Sequence, residues 1–126
     1  MNADVPLLVI VDAANVVGSV PDGWWRDRRG AAERLRDRLA ADGVPGRAGP
    51  VEIVLVVERA ARGVESVPGV LVESAAGSGD DHMVELVARA AGRACLVVTA
   101  DRELRRRCVA AGAAVTGPRW LTALFT

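Results

Sequence analysis

Asp12, the adjacent pair Asp80 and Asp81, and Asp101 have the types and spacing to hold a hard cation and work on a phosphate ester. Asn15, three residues after Asp12, can turn its amide toward the same place. The acids come with no lysine, and the chain has a single histidine, His82, so the donor set is all oxygen. Mg²⁺ and Mn²⁺ prefer such donors, keep several waters, and bind substrate phosphate as well. Without an ion, the same charges raise one another's pKa. Each acid also has an ordinary use. Asp12 and Asp101 can cap helices or turns, and Ser78 with Asp81 fits the S-x-x-D capping box. Capping accounts for each acid singly. It does not account for three separate segments delivering acids to one place.

That convergence follows from the elements that carry them. Leu7 to Val11 is a continuous, β-branched apolar run of the kind found in strands covered on both faces. Val51 to Val57, Val70 to Val72, Cys95 to Val98 and Ala113 to Val115 read as four further strands. Between them lie helical stretches at Ala31–Leu39, Asp81–Ala91 and Glu103–Ala111, with a short terminal helix at Trp120–Phe125. Asp42–Pro50 and Ala75–Gly79 are connectors. Alternating strands and helices predict a single α/β domain with a parallel, doubly wound sheet. In such a sheet the site lies beyond the carboxyl ends of the strands. Asp12 directly follows the first strand, and two residues separate Asp101 from the fourth. Asp80 and Asp81 begin a helix that leads back into the fourth strand, so its N-terminus sits at the same edge. Helix phase places Asp81 on the inward stripe of Val84, Val87 and Ala88, and leaves Asp80 at the rim.

Composition narrows the chemistry. The chain is 51% hydrophobic and 25% charged, a globular balance rather than a disordered one. Its 16 basic residues are all arginine, which excludes a P-loop lysine, a Schiff base and a Ser-Lys dyad. One histidine excludes an HExxH zinc site. Cys95 and Cys108 are too few for a disulfide scaffold and read as buried, reduced thiols, which suits a cytoplasmic protein. The apolar run at the N-terminus ends at Asp12 and lacks a basic flank, so neither a signal peptide nor a membrane span is expected.

Three motifs together resemble the NYN domain, a branch of the PIN-like metal-dependent nucleases. They are Asp12-Ala-Ala-Asn15-Val16-Val17 after an apolar strand, Asp80-Asp81-His82-Met83-Val84, and Val98-Thr99-Ala100-Asp101. The resemblance runs from Leu7 to about Leu124, and from Asn15-Val16-Val17-Gly18 onward it is nearest to the bacterial YacP-like group. It implies a five-stranded parallel sheet in the order 3-2-1-4-5, with helices on both faces. It also implies Mg²⁺ or Mn²⁺ held by Asp12, Asp81 and Asp101, and hydrolysis of RNA phosphodiesters by a metal-activated water. Asp80 matches the first acid of the doubled form. Where many relatives carry a further acid, this chain offers only Glu103, before Arg105, Arg106 and Arg107.

Substrate contacts are expected from Trp24, Arg26 and Arg28, near Trp25 and Arg29, and from Arg102 beside Asp101, because guanidinium clamps phosphate and indole stacks a base. Asn15 is grouped with these substrate-binding residues. His82 reads as a solvent-facing first-turn residue in preference to a general acid, and Gly77-Ser78-Gly79 as a connector in preference to a phosphate cradle. The expected function is a metal-dependent endoribonuclease, with a toxin paired to an antitoxin as one form of it. The alternative is a non-catalytic module that binds RNA or the ribosome. Homo-oligomer formation is left open, and nothing in the sequence indicates it.

Overall fold

The computed structural model describes residues 5–46 and 49–123, so the end of the expected terminal helix lies outside the described residues. Strand β1 (Leu7–Asp12) is the centre of the sheet, and its Val9, Ile10 and Val11 are fully buried. Such a strand must be covered on both sides, which is why the alternating pattern of a one-faced sheet is missing from LLVIV. β2 (Val51–Val57) and β3 (Val70–Ser74) lie to one side of it, β4 (Cys95–Val98) and β5 (Ala114–Thr116) to the other. The order is β3-β2-β1-β4-β5, with every neighbouring pair parallel.

Helices α1 (Ala13–Gly18) and α2 (Arg28–Asp42) cover one face, where Val16, Leu35 and Leu39 meet Val9, Val11 and Leu55. Helices α3 (Gly79–Arg89) and α4 (Arg102–Ala110) cover the other, where Met83, Val87, Leu104 and Cys108 meet Ile10, Val54 and Val97. A short α5 (Arg119–Thr122) adds the buried Leu121 to the first face. Asp27 starts α2 by accepting a hydrogen bond from the Gly30 amide at 2.9 Å. Gly43 ends it at φ +68°, a conformation that suits glycine.

Two expectations are corrected here. Helix α1 was not expected, because Val16 and Val17 are weak helix formers and the segment is under two turns long. Burial of Ala13 and Val16 and the cap from Asp12 hold it instead. The phase of α3 also differs. Its buried residues are Gly79, Met83 and Val87, so the inward stripe contains Asp80 rather than Asp81. An Asp81 stripe would carry Glu85 inward at i+4, whereas the Asp80 stripe continues through Met83, Val84 and Val87. Burying Met83 and Val87 is worth roughly 1.5–3 kcal/mol each, and turning Glu85 into the sheet would cost a desolvated charge.

Candidate active site

The strand order reverses between β1 and β4, and the candidate site opens at that point, beyond the carboxyl ends of both strands. Asp12 closes β1 and is only 6% exposed. Its Oδ2 accepts a hydrogen bond from Thr99 Oγ1 at 2.8 Å, and its Oδ1 accepts one from the Asn15 amide at 3.3 Å. The second bond is the N-cap of α1, so the capping use and the site use coexist in one side chain. Burial pushes Asp12 up to about 6. The Thr99 and Asn15 hydrogen bonds oppose that rise, and the charges of Asp80 and Glu58 reinforce it.

Asp80 is half-buried at the start of α3. Desolvation first, then the charges of Asp101 and Glu58, hold its carboxyl above the ordinary range, while Arg107 counters them. Asp81, its neighbour, points outward. Its side chain is 73% exposed, and its Oδ1 accepts a hydrogen bond from Arg107 at 2.8 Å. The capping box is therefore used in one direction: Ser78 Oγ accepts from the Asp81 amide, while the Asp81 carboxylate goes to α4. Asp101 caps α4 by accepting from the Leu104 amide at 2.9 Å, and its own amide donates to Thr99 Oγ1 at 3.2 Å. Thr99 is fully buried and ties Asp12 to the Asp101 turn.

Glu58 is the acid that sequence reasoning missed. It directly follows β2, as Asp12 closes β1, so the same carboxyl-edge rule would have found it. Its Oε2 accepts from the Gly79 amide at 2.9 Å. A Cβ on Gly79 would meet the Glu58 carboxylate at 3.2 Å, so the absence of a side chain there permits the approach. That carboxylate already occupies an amide the Gly77–Gly79 turn would offer to a phosphate. Glu103, the further acid considered from sequence, is instead ion-paired with Arg106 on the exposed side of α4.

Asn15 Oδ1 accepts from the Ala100 amide at 2.8 Å, so the side chain braces the loop before Asp101 through its carbonyl. His82 is partly buried and its Nε2 lies 2.6 Å from Glu73 Oε1 on β3, which corrects the solvent-facing expectation. Trp24 and Trp25 pack edge to face, with ring centroids 6.0 Å apart. Trp25 is 56% exposed, whereas Trp24 is half-buried under Arg28, whose Cζ sits 5.4 Å from the ring centroid. Arg26 lies against Trp25 at 5.8 Å. Arg29 donates to the Arg62 and Gly63 carbonyls at 3.1 Å and is thereby committed to holding a loop. Arg102 is exposed at the first position of α4.

The carboxylates of Asp12, Glu58, Asp80 and Asp101 thus reach one edge from four segments. Glu58 and Asp80 act on Asp12, and Asp101 and Glu58 act on Asp80, each raising its pKa. Their oxygen chemistry suits Mg²⁺ or Mn²⁺. Among the described residues, no three such side chains are gathered closely enough to ligate one ion as they stand.

The fold is the five-stranded parallel α/β sheet in the order 3-2-1-4-5 that the sequence resemblance implies. The chain is similar to the crystal structure of a mutant of Rae1 (YacP) from Bacillus subtilis, with a TM-score of 0.71 and 18% sequence identity. The similarity covers 93% of this chain and 73% of that one. No family model and no curated protein sequence matches the chain.

Proposed function

We propose that this protein is a metal-dependent endoribonuclease acting at the β1–β4 edge. The observation that carries the reading is Asp12, a carboxylate buried at the switch point and facing other acids rather than a cation. A fold that keeps such a group forgoes stability for it, and functional sites are where that arrangement recurs. Asp12, Asp80 and Asp101 would supply the oxygen ligands to Mg²⁺ or Mn²⁺, with Glu58 beside them. Asp81, assigned to the metal on sequence grounds, acts in this reading through Arg107, which it pairs with. A bound divalent ion supplies charge neutralisation at the phosphate and a water of lowered pKa. The chain's own residues do the rest: Thr99 and Asn15 orient Asp12 and Asp101, and Arg102 stands at the rim for a phosphate.

The partner is RNA, and the working compartment is the cytoplasm, where Cys95 and Cys108 stay reduced. Among the described residues, no helix is long and apolar enough to cross a membrane. One observation favours the second reading, a non-catalytic module for RNA or the ribosome. It is the absence of a ready three-acid cluster among the described residues, together with the use of an Asp101 oxygen for capping. Incubating a labelled RNA with the protein in Mn²⁺, Mg²⁺ or EDTA separates the two. Cleavage that needs the divalent ion and vanishes in Asp12→Asn supports the nuclease. RNA binding that persists without cleavage under every condition supports the module.

A further inference from the structure

A cavity of about 170 Å³ opens beside the carboxylates, between α1, α2 and the single helical turns at Trp24–Arg26 and Arg59–Ala61. Ala13, Ala32 and Ala61 line it with small apolar surface, and Trp24 adds an aromatic ring. Arg28, Arg59 and Glu58 supply its charged groups. The volume is well below the roughly 300–1,000 Å³ of sites for drug-sized ligands, so it suits one planar heterocycle rather than a base pair.

Two features make this more than a packing gap. Arg59 has φ +52° and is the one non-glycine with positive φ among the described residues. Strain of this kind persists where surrounding structure imposes it, and here it falls where β2 gives way to the cavity wall. The second feature is Glu58, which belongs to both places. It lines the cavity, while its charge acts on Asp12 and Asp80. The cavity and the candidate catalytic edge are therefore one side chain apart. The indole ring already holds the Arg28 guanidinium over it at 5.4 Å, a cation–π contact that shows the ring to be open to a flat polar group.

We infer that this pocket receives one unstacked nucleobase of single-stranded RNA, stacked on Trp24 and flanked by Arg28 and Arg59. That the base neighbours the phosphate being cleaved rests on the nuclease reading above. Strand selection follows from the geometry: a base held in a helix cannot reach the pocket without leaving its stack. Stacking on an indole tolerates any base, so the pocket selects for a flipped base rather than for a sequence.

The test is binding of a fluorescein-labelled hexaribonucleotide in EDTA, compared with six versions that each carry one abasic position. The wild type is expected to lose about 10–100-fold in affinity at one position and little elsewhere. Trp24→Ala should flatten that profile, and Trp24→Phe should retain it. Ala61→Met, which fills the cavity from a half-exposed position, should flatten it without removing any contact. Arg89→Ala, which deletes a positive charge on the last turn of α3 and does not line the cavity, should leave the profile intact. Melting curves confirm that each variant is folded. Equal tolerance of abasic sites at all positions overturns the inference, as does a position-dependent profile that survives Ala61→Met in a folded protein. A normal profile with no cleavage in Mn²⁺ or Mg²⁺ leaves the pocket standing and removes the nuclease reading. No binding of any hexamer removes both.

Discussion

Replacing Asp12 with asparagine should make the apoprotein more stable at neutral pH and leave it little changed in acid. The folded carboxyl titrates near 6, against 3.8 for the unmodified group, because burial and like charges oppose its ionisation. Between those values the folded chain holds more protons than the unfolded chain. Stability therefore falls as pH rises from about 4 to about 6, and the loss is complete above the folded value. The span corresponds to about 3 kcal/mol as an upper figure, with no allowance for solvent because Asp12 is 6% exposed. The asparagine side chain, which carries no charge, avoids that loss. It gives up about 1 kcal/mol, because a neutral amide accepts less strongly from the Asn15 amide and must meet Thr99 with an N–H. The net expectation at pH 7.5 is a gain of about 1–2 kcal/mol, or a rise in Tm of roughly 3–10 °C for a domain of this size. At pH 4.5 the gain should disappear. The assay is thermal denaturation of both proteins in EDTA from pH 4.5 to 8, read as the difference between them, which cancels groups titrating equally in each. A second arm adds Mn²⁺. Linkage stabilises a protein by about 2.7 kcal/mol at a hundredfold excess over Kd, and this shift should be large in the wild type and small in the variant. A variant destabilised by the same amount at pH 4.5 and 7.5 would refute the reasoning. Asp12 would then be a structural acceptor and no more.

Asp80→Asn should lower kcat/KM for metal-dependent RNA cleavage by about 100-fold or more. Asp81→Asn, which breaks a surface pair with Arg107, should lower it less than about 10-fold, and the reverse order would restore the helix phase read from sequence. Thr99→Val should cost about 1–3 kcal/mol in urea unfolding, because Asp12 Oδ2 and the Asp101 amide both lose their partner. It should also move the falling limb of the stability–pH curve to higher pH, since the Thr99 bond lowers the Asp12 pKa. Cys95 and Cys108 are buried, and burial pushes the Cys108 thiol to about 11. Neither should react with a thiol reagent at pH 8 within minutes until denaturant is added, and a fast native thiol would contradict the packing.

The first and second strands were legible in the sequence because a strand buried on both faces has no choice of residues. LLVIV and VEIVLVV cannot be solvated, and once they lie parallel with CLVV the carboxyl-edge rule locates Asp12 after the first strand and Asp101 after the fourth. The same rule applied to β2 points to Glu58. That acid was legible and passed over because it is not part of the three motifs. Helix phase was only partly legible. Val84 and Val87 are compatible with either acid facing inward, and Glu85 tips the choice toward Asp80 once its burial is counted. Other features were decided by tertiary structure alone. Trp24 and Trp25 are identical in type and adjacent, and only the packing around α1 and α2 half-buries one and exposes the other. Asn15 to Ala100, His82 to Glu73 and Arg107 to Asp81 each join segments that no local pattern relates. Local spacing fixes which way a side chain leaves its own strand or helix, whereas its partner is set by how those elements are packed against one another.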